Sequence, residues 1–211
     1  MRIEINPMET SRRSQFECFR NCACPTIVAT KIYDVTPLLR YGRKHNMKFN
    51  MLLCWLMGKV ASKIDVFYTI YEPYRLYKYD KICVNIVVPS SNDCVNLCDV
   101  PYNDSLEQFA ADYDRITYQS IHEQRDILLD DYARLGTSAV IQTELASVTG
   151  GYNDKYTNPF LSWARYHKGW LKTTLPITLR ANHIQMDGGH CARYLEMLQE
   201  EIKNITSHSP S

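Results

Sequence analysis

The sequence predicts an α+β domain, on three observations. Stretches with the period-two alternation of strands intermix with stretches of helical spacing along the whole chain. No repeat, linker or shift of composition divides it. Its 211 residues suffice for one large domain or two small ones, and the unbroken character selects one. The domain is expected over residues 1–205, with the polar tail 206–211, TSHSPS, disordered.

The elements follow in order. A short helix is expected over residues 12–20. IVATKIYDV, residues 27–35, alternates as a strand does. Thr36-Pro37 caps a helix running to about Asn46, with the proline at its first helical position, where a missing N–H is harmless. Asn50 is the candidate cap of a second helix, MLLCWLMGKVASKI, so apolar that it must be buried on most sides. Residues 66–88 read as three strands, VFYTIYE, YRLYKY and KICVNIVV, divided at Glu72-Pro73 and Tyr79-Asp80. CVNLCDV is a further short strand. Asn103 or Asp104 starts a helix whose apolar positions Leu106, Phe109, Tyr113, Ile116 and Ile121 keep helical spacing. After the polar stretch HEQRDILLDDYARLG come strands AVIQTELASV, FLSWARYHKG and WLKTTLPITLRANH, the last two a hairpin about Lys168-Gly169. A final helix runs from Gly188 to near Asn204.

Charge and cysteine usage exclude several classes. Lys plus Arg number 24 against 23 Asp plus Glu, which leaves no electrostatic footprint for nucleic acid or an anionic membrane. No apolar run reaches the length of a membrane span, and the N-terminus MRIEINPMETSRR lacks the apolar stretch of a signal peptide. A cytoplasmic location is expected. Cys18-x-x-x-Cys22-x-Cys24 and Cys94-x-x-x-Cys98 lack C-x-x-C spacing and a nearby histidine pair, so no metal is expected. Cys54 and Cys83 lie in apolar runs, where cysteine acts as a small hydrophobe.

One string asks for more than packing: LRANHIQMDGGHCARYLEM. His183 ends a strand, Asp187 follows in the turn, and Gly188-Gly189 open a helix. A histidine at a strand end can point into a cleft, while glycines let a backbone or ligand come close. Asp187 can fix the turn if a cation pairs with it. A neutral imidazole can take a proton from a hydroxyl or thiol. The spacing alone equally fits a hydrogen-bonded histidine beside an ordinary turn.

The string resembles the H-H-x-x-x-D-G signature of the chloramphenicol acetyltransferase family and of other CoA-dependent acyltransferases of that fold. The resemblance extends to FLSWARYHKGWLKTTLPITLRANHIQMDGG, SRRSQFECFR, Lys48-Phe49 and SAVIQTELASVTG, and covers nearly the whole chain. It implies that His183 is the general base and that Arg12 pairs with Asp187. It implies that Ser147, at a strand end, donates to the tetrahedral oxyanion. Ser162 takes the place of a threonine that helps bind the intermediate through water, and Tyr166 lies on the strand of the CoA cleft. The implied reaction is direct acetyl transfer from acetyl-CoA to a small hydroxyl acceptor, chloramphenicol or a similar molecule. The implied architecture is a two-layer mixed β-sheet flanked by helices, in a homotrimer with active sites between subunits.

The sequence also departs from the family. Asn182 stands where the signature has its first histidine. The acceptor pocket would be walled by Cys18, Phe19, Ala23, Pro25, Ile27 and Val95, of which only Phe19 carries a ring. Apolar contact is worth ~25 cal/mol per Å², so an aromatic acceptor loses affinity in such a pocket. Two other classes share the fold. One is the catalytic core of a dihydrolipoamide acyltransferase, which would carry a lipoyl domain and linker before it. The other is a non-catalytic binding relative, against which stands the joint presence of Arg12, Ser147, His183 and Asp187.

Overall fold

The computed structural model describes residues 1–72, 74–91 and 94–207. The divider expected at Pro73 and residues 208–211 of the expected tail lie outside them. Thr206 and Ser207, expected in that tail, instead close a helical turn, Ile205–Ser207, anchored by buried Ile205.

Fifteen elements follow one another: β1 (Arg2–Ile5), α1 (Arg13–Phe19), β2 (Thr26–Asp34), α2 (Thr36–His45), α3 (Phe49–Ala61), β3 (Thr69–Glu72), β4 (Arg75–Tyr79), β5 (Ile82–Pro89), β6 (Val95–Pro101), α4 (Leu106–Glu123), β7 (Ala133–Val140), β8 (Phe160–Ala164), β9 (His167–Lys168), β10 (Thr173–Asn182) and α5 (Gly188–Asn204). The large sheet has the order β2-β10-β8-β7-β5-β6, with β9 paired to β10. It is mixed: β5, β7 and β8 run parallel, and the other pairs are antiparallel. A small antiparallel sheet, β1-β4-β3, stands apart from it.

The helix starts differ in detail from expectation. Thr36 lies inside the first turn of α2, and its N–H is accepted by the Asp34 carboxylate at 3.0 Å. Asn50 lies inside α3, whose cap position is Lys48. For α4 the cap is Ser105, one residue past Asp104; its hydroxyl accepts from the Gln108 N–H at 3.2 Å. Residues 65–68 form a 3-10 turn, so the strand begins only at Thr69.

The helical layer covers one face of the large sheet. Alternate residues Leu175, Ile177, Leu179 and Ala181 of β10 enter one core with Trp55 and Leu56 of α3 and Tyr194 and Leu198 of α5. α3 is buried on nearly all sides, as its composition requires. The opposite face carries a row of hydroxyls. Ser138 pairs with Ser162, Ser162 with Thr178, and Thr178 with Thr30 across four neighbouring strands. The Thr30 and Thr178 hydroxyls lie 2.9 Å apart.

The main correction concerns β7. The strand expected over residues 139–148 begins at Ala133 and ends at Val140; residues 141–148 have no strand partner. Its first half hides in a polar-looking stretch because Arg134 is neutralised in place. The Arg134 guanidinium meets the fully buried Asp99 carboxylate at 2.6 Å, and the Asn85 amide and Leu129 N–H complete that carboxylate's shell. Gly136 must be small, since a Cβ there would strike the Phe160 ring on β8.

Candidate active site

His183 is the first residue beyond β10, and four constraints fix it. Its N–H donates to the Pro25 carbonyl at 2.8 Å. Its own carbonyl accepts from Arg12 Nη2 at 3.0 Å. The preceding Asn182 turns its carboxamide oxygen onto the Ile184 N–H at 2.9 Å. The imidazole stacks on the Phe19 ring, with centroids 4.3 Å apart and planes 18° from parallel. Nδ1 is sealed from solvent and finds no hydrogen-bond partner among the described residues, which leaves Nε2 as the nitrogen a reactant can meet.

Arg12 and Asp187 hold this turn from beneath, and the expected ion pair is present. Arg12 Nη1 meets Asp187 Oδ2 at 2.8 Å, and Arg12 Nε donates to the Ile184 carbonyl at 2.9 Å. Asp187 is also the N-cap of α5, its Oδ1 accepting from the Gly189 and His190 N–H groups at 3.0 and 3.2 Å. Burial pushes this carboxyl up, but the Arg12 guanidinium and His190 outweigh it and hold it at about 2. His190 Nδ1 lies 2.8 Å from Asp187 Oδ1. His190 escaped the sequence reading, although its position three residues after an N-cap aspartate is the spacing of a capping box. A Cβ at Gly188 would meet nothing, and at Gly189 it would press on the Asp187 carboxylate at 3.3 Å. A satellite core of Phe16, Tyr71, Leu76 and Ile184 fastens α1 and the small sheet to the same turn.

Ser162 lies on a strand, but Tyr166, expected on one, falls in the gap between β8 and β9. Ser162 is buried on β8, and its hydroxyl donates to the Val148 carbonyl. Tyr166 borders a cavity of about 890 Å³ together with Lys48, Phe49, Arg165 and Lys168. Its ring meets Phe49 edge-on, with centroids 5.6 Å apart. Ser147 does not end a strand; it lies exposed in the irregular segment after β7. The serine in register with Ser162 is Ser138, in the same SAVIQTELASVTG string.

The residues expected to wall the acceptor are not brought together within one chain. Phe19, Pro25 and Ile27 lie near the His183 turn, with Cys18 and Ala23 exposed beside them. Val95 begins β6, at the far edge of the sheet from β2, and is 58% exposed. Five strand spacings separate those edges, on the order of 24 Å.

Among the described residues no group of three or more His, Cys, Asp or Glu could hold a metal ion. The eight cysteines are free, and burial pushes the Cys54 thiol up to about 12. No described helix is long and apolar enough to cross a membrane.

The family model described as chloramphenicol acetyltransferase matches residues 1–199. The chain belongs to the chloramphenicol acetyltransferase family. Chloramphenicol acetyltransferase 2 of Escherichia coli is 23% identical over 210 residues, 97% of each chain. The chloramphenicol acetyltransferase of Clostridium butyricum is 24% identical over 219 residues, 94% of this chain and 92% of the relative. A solved chloramphenicol acetyltransferase superposes with a TM-score of 0.81 at 17% identity, over 96% of this chain and 100% of the other. A probable dihydrolipoamide acetyltransferase from Listeria monocytogenes gives 0.71 at 11% identity, over 96% and 94%. At such identities the solved structures show the fold alone, which the two enzyme groups share. Membership of the chloramphenicol acetyltransferase family makes the chain an acyltransferase, with acetyl-CoA as the family's co-substrate. The non-catalytic reading is thereby set aside.

Proposed function

We propose that the protein is an acetyl-CoA-dependent O-acetyltransferase that uses His183 as general base on a small hydroxyl acceptor, with chloramphenicol as the reference compound. One observation carries the reading: an imidazole fixed by ring stacking and backbone bonds, on a turn locked by the Arg12–Asp187 pair. Nε2 takes the proton of the acceptor hydroxyl as its oxygen attacks the thioester carbonyl. The tetrahedral intermediate collapses, the carbon–sulfur bond breaks, and the leaving thiolate recovers the proton from the imidazolium. No acyl-enzyme forms.

The proposed oxyanion donor is Ser138 and not Ser147; Ser138 lies on a strand beside buried Ser162. The 890 Å³ cleft is the proposed seat of acetyl-CoA. Lys48, Arg165 and Lys168 supply cations for its phosphates, and Tyr166 with Phe49 an apolar wall. A homotrimer is part of the proposal. It is supported by acceptor residues divided between the two sheet edges and by exposed Val28 and Ile32 on edge strand β2. The test is release of free CoA from acetyl-CoA in the presence of a panel of alcohols. His183→Ala should lower turnover by about 10²–10⁴-fold or more with CoA binding retained. Near-full turnover in that variant would end the assignment.

A further inference from the structure

A second cavity, of about 650 Å³, opens between the end of α1, the β3–β4 hairpin and residues 152–155. Ala23 lies in its wall, two residues before Pro25, whose carbonyl binds the His183 N–H. Two residues span at most ~7 Å, so the cavity adjoins the turn that carries the imidazole.

Its lining is polar and aromatic at once. Arg20 and Lys155 bring two cations, Asp154 one acid, and Tyr71, Tyr74 and Tyr152 three phenol rings. Arg20 lies 6.0 Å over the Phe16 ring, and neither it nor Lys155 pairs with a carboxylate among the described residues. The Tyr71 hydroxyl accepts the Tyr74 N–H at 3.1 Å, and Tyr74 is held at φ 66, in the left-handed region where a tyrosine is rare. Burial, then Tyr71 and Asp154, raise the Tyr152 phenol, so it stays a neutral donor that does not repel an anion.

Behind this wall stands Arg180, three residues before His183. It donates to the Gly151 carbonyl at 2.6 Å and the Tyr156 carbonyl at 3.3 Å, which fastens the loop bearing Tyr152 and Lys155. It too has no carboxylate partner among the described residues, so its charge adds to the excess at the cavity. Uncompensated cations beside phenol faces suit an anionic group carried on a flat ring.

We propose that this cavity receives the non-reacting end of the acceptor, and that this end is an aromatic ring bearing an anion. The inference rests on His183 being the base of the proposed reaction, and it deepens that reading by naming the acceptor class.

Two matched alcohols test it: 2-phenoxyethanol and 4-(2-hydroxyethoxy)benzoate, which differ by one carboxylate. In transfer from acetyl-CoA, the benzoate should be preferred at least tenfold in kcat/KM. In the double variant Arg20→Gln/Lys155→Gln that preference should fall to near unity. A smaller preference in the wild type, or one that survives in the variant, overturns the proposal. If neither alcohol is acetylated, the proposed reaction has failed for this class, and calorimetric titration of the same two compounds decides the site alone. Binding of the benzoate at least tenfold tighter than of the neutral alcohol, lost in the double variant, sustains it; anything less overturns it.

Discussion

At the scale of single residues, the site depends on one carboxylate serving several partners. Asp187 binds Arg12, caps α5 and meets His190. Its carboxyl is held at about 2, below the ordinary value of about 3.9. A lowered carboxyl contributes stability above its unfolded pKa and loses it as pH falls through the folded one. The contribution of this pair should therefore be complete above about pH 4 and fade between about 4 and 2. Asp187→Asn should remove that acid-limb dependence and lower thermal stability and turnover together. Unfolding curves of both proteins from pH 2 to 7 check it, and curves of identical shape would dismiss the pair as a stabiliser. Two serines give a second residue-scale contrast. Ser138→Ala should lower kcat by about 10²-fold or more, as loss of an oxyanion donor does, whereas Ser147→Ala should leave it within about twofold. The reverse order would restore Ser147. Much of this was legible beforehand. Arg12, Asp187 and the His183 turn lie in motifs whose spacing is short and free of gaps. The proposed Ser138 was not, because SAVIQTELASVTG holds two serines and only the strand register tells them apart.

At the scale of elements, alternation and helical spacing revealed most strands and helices but missed the start of β7. Patterning reads ARLG as polar, and it is blind to a charge neutralised by a residue 35 positions away. Asp99 is fully buried and takes Arg134, Asn85 and the Leu129 N–H as partners. Removing one member of such a group strands the others without compensation, at ~3–5 kcal/mol. Asp99→Ala should thus lower Tm by on the order of 10 °C. A shift of only a degree or two in a calorimetric scan would show that β7 holds its place without the pair. Helix starts were missed for a related reason. Val35 and Lys48 occupy cap positions without side-chain caps of their own, and at α2 the Thr36 N–H is taken instead by Asp34, one residue before the cap, so no capping residue stands where the pattern looks for one.

At the scale of the whole molecule, the sheet sets what one subunit can do alone. Strand β2 forms one edge, next to β10, which leads into His183, and β6 forms the other. The acceptor wall expected from sequence is thereby split, with Phe19, Pro25 and Ile27 near the first edge and Val95 at the second. A site built from all of them needs the far edge of another subunit. The outward side of β2 is suited to that role. Val28 is 46% and Ile32 66% exposed, with the Thr30 hydroxyl between them at the end of the row that runs to Ser138. A charge placed there is tolerated in a monomer and is costly in an interface, where it is buried without a partner. Ile32→Lys should therefore convert a trimer to monomers in sedimentation analysis. Turnover should fall with the trimer, even though His183, Arg12 and Asp187 all remain within the chain. The sensitive comparison is activity against protein concentration. In the variant, specific activity should rise with concentration as subunits reassociate by mass action. A wild-type protein that sediments as a monomer with full activity would show that one subunit completes the site, and that Val95 has no part in the acceptor wall.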